Sequence, residues 1–211
     1  MNGKIDLLTL YNQDKKEFKQ KLSSSEMWDM ALARRNQLLK THLSNVSKLA
    51  REFGGSFGME EILGAAGYLH DYGKGSPQWQ EYLVKKLMYE DVPMISHSIH
   101  GAKYCFTEVN SFQHIAEMLG NIIMSHHGSL YDNISPDGET VLKDVLTSKT
   151  EVKIPEEFSI DFKLLNNEFV KIINSDKNTD KPFYMSMLIK LAYSCLVDAD
   201  RLVQHCLNIS D

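Results

Sequence analysis

The sequence predicts an all-α fold, and three observations carry that prediction. Apolar residues recur at helical spacing along nearly the whole chain. Capping residues precede these stretches and glycines follow them. No run alternates apolar and polar residues as a half-buried strand would. Ser23 and Glu26 have capping-box spacing and predict the start of a long helical pattern. On it His42, Val46, Leu49 and Phe53 share one face, and Gly54 and Gly55 end it. A second helix is expected over about residues 59–71, with Ile62, Ala66 and Leu69 inward and Gly73 closing it. Ser76 followed by Pro77 reads as an N-cap with proline at the first helical position, and Trp79, Leu83 and Leu87 give the third helix its stripe.

Pro93 marks a turn, and Ser96 can cap a helix running through about Val109. Ile115, Leu119, Ile122 and Ile123 carry another helix up to His126, which Gly128 stops. Beyond it Pro136, Asp137 and Gly138 signal a turn, and Val141, Leu142, Val145 and Leu146 suggest a short helix. Leu164, Leu165, Phe169, Ile172 and Ile173 make the next one. After a polar connector at 175–182, a long helix is expected over about residues 183–207. Met187, Leu191, Cys195, Asp198 and Leu202 fall on one of its faces.

Composition bounds the function. The chain has 211 residues, 43% hydrophobic and 24% charged, which is ordinary for a soluble globular domain. A disordered tail, a collagen-like fibre and a membrane bundle are excluded. The apolar patch of Leu7, Leu8, Leu10 and Tyr11 is too short for a secretory leader, so a cytoplasmic protein without membrane association is expected. Cys105, Cys195 and Cys206 have no Cys-x-x-Cys spacing, which argues against a disulfide framework or a thiolate zinc site and for buried reduced thiols. The net charge of −5 does not announce a nucleic-acid binder. Residues 1–53 nevertheless carry ten Lys/Arg against six Asp/Glu, so a locally basic face is available.

Histidine is the informative residue. His70 precedes Asp71 at one helix end, His126 and His127 are adjacent at another, and His97 opens a helix. His42 lies on an apolar stripe, and Asp198 interrupts the stripe of the last helix. Each is a polar group aimed at a core, unfavourable unless compensated. A metal cluster compensates all of them at once. Imidazole with carboxylate suits first-row divalent ions. Five histidines and two carboxylates exceed what one tetrahedral ion can use, whereas two ions bridged by one carboxylate would use them all. Two ions about 3.5–4 Å apart are suited to phosphoester hydrolysis. The residues alone therefore point to a metal-dependent phosphohydrolase.

The order His42, His70-Asp71, Asp198 resembles the signature of the HD phosphohydrolase superfamily. Four further stretches resemble the CRISPR-associated HD nuclease, the nuclease component of the type I helicase–nuclease. They are Leu69-His70-Asp71-Tyr72-Gly73-Lys74 with Trp79-Gln80-Glu81-Tyr82-Leu83 downstream, His97-Ser98-Ile99-His100-Gly101-Ala102, Ile123-Met124-Ser125-His126-His127-Gly128, and Ser194-Cys195-Leu196-Val197-Asp198-Ala199-Asp200-Arg201. The resemblance spans residues 42–201. It implies an HD-domain helical bundle with the metal site at its core and a single nuclease domain over residues 1–211. It also implies a nuclease acting on DNA, preferentially single-stranded, in antiviral defence, with a CRISPR helicase and a Cascade-type surveillance complex as partners. The cofactors it implies are two divalent transition-metal ions, Mn, Fe, Co or Ni, with Mg also admitted. A phosphohydrolase acting on free nucleotides or cyclic dinucleotides is the alternative.

The resemblance also implies roles. His42, His70, Asp71 and Asp198 would hold one ion, and Asp71 would bridge to a second held by His97, His126 and His127. Lys74 would face the scissile phosphate. His100 would stand behind His97 or at the surface, and His114 and His205 match no motif. Asp200 is the rival to Asp198. The two face different ways on a helix, Asp198 shares the stripe of Leu191 and Leu202, and Asp200 is expected to pair with Arg201. Two departures stand out. No Gly-x-x-x-x-Gly-Lys-Ser/Thr phosphate loop is present, so a stand-alone nuclease subunit or an excised domain without its helicase is expected. The stretch Leu202-Val203-Gln204-His205-Cys206 lacks the acidic and threonine residues common in the family. Lys15, Lys16, Lys19, Arg34 and Arg35 are the candidates for a basic groove.

Overall fold

A computed structural model describes residues 6–108, 112–128, 130, 160–175 and 180–208. It opens with two short helices, α1 (Leu7–Gln13) and α2 (Lys15–Leu22). Asp6 and Asp14 cap them by accepting from Thr9 N and from Lys16 N and Glu17 N, which satisfies free N–H groups of each first turn. Leu7, Leu10, Phe18 and Leu22 are their buried face. Ser23 closes α2 instead of starting a long helix, and α3 (Met27–Met30) is a single turn.

An antiparallel pair, β1 (Leu32–Arg34) and β2 (Gln37–Leu38), then breaks the helical pattern expected from the Ser23–Glu26 spacing. Strands of three and two residues are too short to show alternation, so periodicity could not reveal them. Gln80 pins the pair. Its Oε1 accepts from Leu32 N at 2.9 Å, and its Nε2 donates to Leu32 O at 2.9 Å and to Lys74 O at 2.6 Å.

The centre of the fold is the antiparallel pair α4 (Leu39–Gly55) and α5 (Glu60–Leu69). Their close approach requires Gly67, where a Cβ would stand 2.8 Å from Ser47 Cα. This contact is what places His42 of α4 beside His70, the residue that ends α5. A 3₁₀ turn (Tyr72–Gly75) follows, and α6 (Pro77–Leu87) starts as the sequence predicts. Ser76 accepts from Trp79 N, and Pro77 occupies the first turn. The buried face of α6 is Trp79, Gln80 and Val84, with Leu83 and Leu87 only half-buried.

Helices α7 (Ser98–Glu108) and α8 (Gln113–Ser125) pack on each other. Gly101 lets α7 press on the end of α5, since a Cβ there would lie 2.0 Å from Leu69 O. Helix α9 (Phe162–Ile173) supports α5 from its start. Glu61 N and Ile62 N donate to the Glu168 carboxylate at 2.9 and 2.8 Å. The expected turn at Pro136–Gly138 and the short helix at Val141, Leu142, Val145 and Leu146 lie outside the described residues.

The last helix, α10 (Lys181–Asn208), crosses α4, α5 and α8. Its inward face differs from the one expected. Leu188, Ala192, Leu196, Ala199, Asp200 and Val203 are buried, while Met187, Leu191 and Leu202 are exposed. The helix carries two apolar stripes. The one with small residues faces inward, because Ala192 and Ala199 allow α10 to lie close to its neighbours. None of the three cysteines forms a disulfide; Cys105 is buried, Cys195 half-buried and Cys206 exposed. The described residues form an all-α fold with one small hairpin, and no described helix is long and apolar enough to cross a membrane.

Candidate metal centre

Seven side chains converge where α4, α5, α7, α8 and α10 meet, and they fall into two groups sharing one residue. His42, His70, Asp71 and Asp200 form one group, and Asp71, His97, His126 and His127 the other. Asp71 divides its oxygens between them. Oδ2 lies 3.2 Å from His42 Nε2 and 3.4 Å from His70 Nε2. Oδ1 lies 3.0 Å from His97 Nε2, 3.5 Å from His126 Nε2 and 3.9 Å from His127 Nε2. Asp200 Oδ1 completes the first group at 3.4 Å from His42 Nε2 and 3.6 Å from His70 Nε2.

The donor atoms fit divalent ions. Ligands at about 2.0–2.2 Å from one ion stand roughly 3–3.5 Å from each other at right-angled or tetrahedral positions. Most of the spacings above lie in that range. Asp71 Oδ1, Asp200 Oδ1 and His126 Nε2 are buried and make no hydrogen bond. Such atoms are costly to bury unless something else compensates them, and a cation between them does so. The histidine orientations agree. The Nδ1 of His70 donates to Gly67 O at 2.7 Å, and that of His126 to Ile123 O at 2.6 Å. Each bond fixes the ring so that Nε2 faces the cluster.

Charge is concentrated here. Burial alone would raise the Asp71 carboxyl, yet the neighbouring His70 and Lys74 charges hold it well below the ordinary carboxylate range. Burial likewise opposes ionisation of Asp200, but the neighbouring His70, 3.6 Å away, brings it down to about 2. His70 shows the reverse balance. Burial lowers it, the two carboxylates raise it further, and the result is about 9. Elsewhere in the cluster burial wins, and it lowers His42 of the same group. Burial is the main reason that His97 is lowered and that His127 falls to about 4. The Lys74 ammonium is 2.5 Å from Asp71 Oδ2 and 5.4 Å from the Trp79 ring centroid. The cluster is sealed on one side and open on the other: side-chain exposure is 1% or less for His42, His70 and Asp71 but 50% for His127.

Six of the seven expected ligands, His42, His70, Asp71, His97, His126 and His127, are therefore brought together. Asp198 is not. It is exposed, on the outer stripe of α10. Two residues turn an α-helix by about 200°, so Asp200 takes the inward position, while Arg201 is exposed. The preference for Asp198 fails because the stripe it shares with Leu191 and Leu202 faces outward.

His100 stands apart, against Gly73, with a buried Nδ1 that makes no hydrogen bond and a pKa pushed by burial to about 4. His114 bonds Asn166 at 2.9 Å, and His205 is exposed. The basic candidates mostly have partners of their own. Lys19 pairs with Glu81, Lys15 sits over Tyr11, Lys16 is exposed, and Arg34 and Arg35 donate to the carbonyls of Gln204 and Leu87.

No curated protein matches the chain. A family model described as HD domain matches residues 39–164, more than half of the chain and all of the cluster except Asp200. HD domains bind divalent metals, and their family signature indicates a metal-dependent hydrolase. The matched stretch and the paired His–Asp cluster agree: the chain belongs to the HD-domain family.

Proposed function

We propose that this protein is a metal-dependent nuclease that hydrolyses phosphodiester bonds of DNA, preferentially single-stranded, in type I CRISPR interference. The single observation that carries the hydrolytic part is Asp71, with one oxygen turned to each ligand group. The two groups would hold two divalent ions, of Mn, Fe, Co, Ni or Mg. Ions bound there supply Lewis acidity, lowering the pKa of a water and neutralising charge on the reacting phosphate. His42, His70 and Asp200 would bind the sealed ion, and His97, His126 and His127 the outer one. Lys74, held against Asp71 and Trp79, would place its ammonium toward the phosphate and stabilise charge developing there.

Access favours a polymer. The half-exposed His127 leaves the outer group open to an approaching strand, whereas a free-nucleotide hydrolase requires a closed pocket. The five motif resemblances support the CRISPR-type nuclease over other HD hydrolases, and with it a partner helicase and surveillance complex. The test is incubation of purified protein and Mn with circular single-stranded DNA. Linearisation and degradation of the circle, abolished by chelation, is the expected result. Turnover of nucleotides or cyclic dinucleotides with the circle left intact would refute the nuclease reading.

A further inference from the structure

We infer that Gln204 is the positioning residue for Asp200, setting the carboxylate that completes the sealed ion site; this deepens the proposed function and rests on its two-ion reading. Gln204 lies one helical turn after Asp200 on α10, and its Nε2 donates to Asp200 Oδ2 at 2.7 Å. A carboxylate only accepts, so the amide nitrogen must be the atom that faces it. With Oδ2 held in this way, Oδ1 is left facing His42 and His70 at 3.4 and 3.6 Å, and it makes no hydrogen bond of its own. A freely rotating carboxylate would instead sample orientations that turn this lone pair away.

The donor is itself anchored from outside the helix. Arg34 Nη1 donates to Gln204 O at 3.3 Å, so β1 holds the last turns of α10 at this height. The same hairpin is tied through Gln80 to the carbonyl of Lys74. The hairpin contributes no ligand, yet it contacts the turn of α10 that carries Gln204 and, through Gln80, the turn that carries Lys74. Partners behind metal ligands typically change affinity by about 10- to 100-fold when removed.

The experiment titrates the chelated full-length protein with Mn by calorimetry, comparing the parent with Gln204→Met and Gln204→Asn. Methionine keeps the length and removes the donor, and asparagine keeps the donor but shortens the reach. Melting of each chelated protein is measured alongside. The expected result is a roughly 10- to 100-fold loss of affinity at one ion site and no change at the other, whether or not loss of the buried hydrogen bond lowers the chelated melting temperature. Unchanged affinities at both sites, or equal losses at both with a lowered chelated melting temperature, would overturn the assignment. A parent protein that binds no ion would overturn the two-ion reading itself, which separates that failure from failure of Gln204 alone.

Discussion

Replacing Asp200 by asparagine keeps the side-chain shape and removes its charge, and the cost can be worked from the site. The Asp200 carboxyl lies at about 2 in the folded protein against an ordinary value of 3.8. That difference corresponds to about 2 kcal/mol of stabilisation of the ionised form. Because the folded value is the lower one, this stabilisation is fully present above about pH 4 and disappears as pH falls through the folded value. At pH 7.5 in the presence of chelator, Asp200→Asn should therefore lose about 2 kcal/mol. For a chain of this length that lowers the melting temperature by roughly 4–8 °C. On the proposed two-ion reading, the variant should also bind one ion fewer than the parent. Asp198→Asn, on the exposed face of α10, should change stability by less than about 0.5 kcal/mol and leave both ions in place. The assay is thermal melting in chelator with elemental analysis of the metal-loaded protein. An Asp198→Asn effect equal to or larger than that of Asp200→Asn would refute the placement of α10 and the choice of ligand.

Four further outcomes are expected. His97→Ala or His126→Ala should remove mainly one ion, because both serve only the outer group; elemental analysis showing two full ions in both variants would make these histidines structural. Lys74→Ala should lower the hydrolytic rate by about 10²- to 10³-fold with metal content intact, and a rate within about a factor of two of the parent would leave Lys74 only its pairing with Asp71. Stability in chelator should fall on both sides of about pH 6.5, where free imidazole titrates. The depressed His42, His97, His100 and His127 lose their contribution as pH drops below that value, and the raised His70 loses its contribution as pH climbs toward about 9. Added Mn requires neutral imidazoles, so the melting gap between Mn-loaded and chelated protein should widen from pH 5.5 to pH 8; a gap constant across that range would contradict metal binding by these histidines.

The parts legible in the sequence were those where one residue conflicts with its surroundings. His42 and His70 are polar groups in apolar helical spacing, and His126-His127 closes a helix that is otherwise apolar. In each case the conflict marks the site, and the structure resolves it by convergence. The residues alone asked only for one bridging carboxylate, and it was the resemblance of His70-Asp71 to the HD signature that named Asp71 as that bridge. What stayed hidden depended on choosing between equivalent patterns. Helix α10 has one stripe with Met187, Leu191 and Leu202 and another with Leu188, Ala192, Leu196 and Ala199. Hydrophobicity favours the first, but the small residues of the second let the helix approach its neighbours, and Asp200 follows that face. Gln204 was invisible for the same reason, since its partner was assigned elsewhere. The hairpin at residues 32–38 interrupts a capping signal at Ser23 and Glu26 that would otherwise start a helix. It is held by Gln80, a contact 48 residues distant, which local pattern cannot anticipate.

The central claim is a pair of ions bridged by Asp71, and anomalous diffraction from crystals of the Mn-loaded protein tests it most directly. The account requires two peaks about 3.5–4 Å apart, one among His42, His70 and Asp200 and the other among His97, His126 and His127, with one Asp71 oxygen toward each. A single peak, or none within the cluster at saturating Mn, would contradict it.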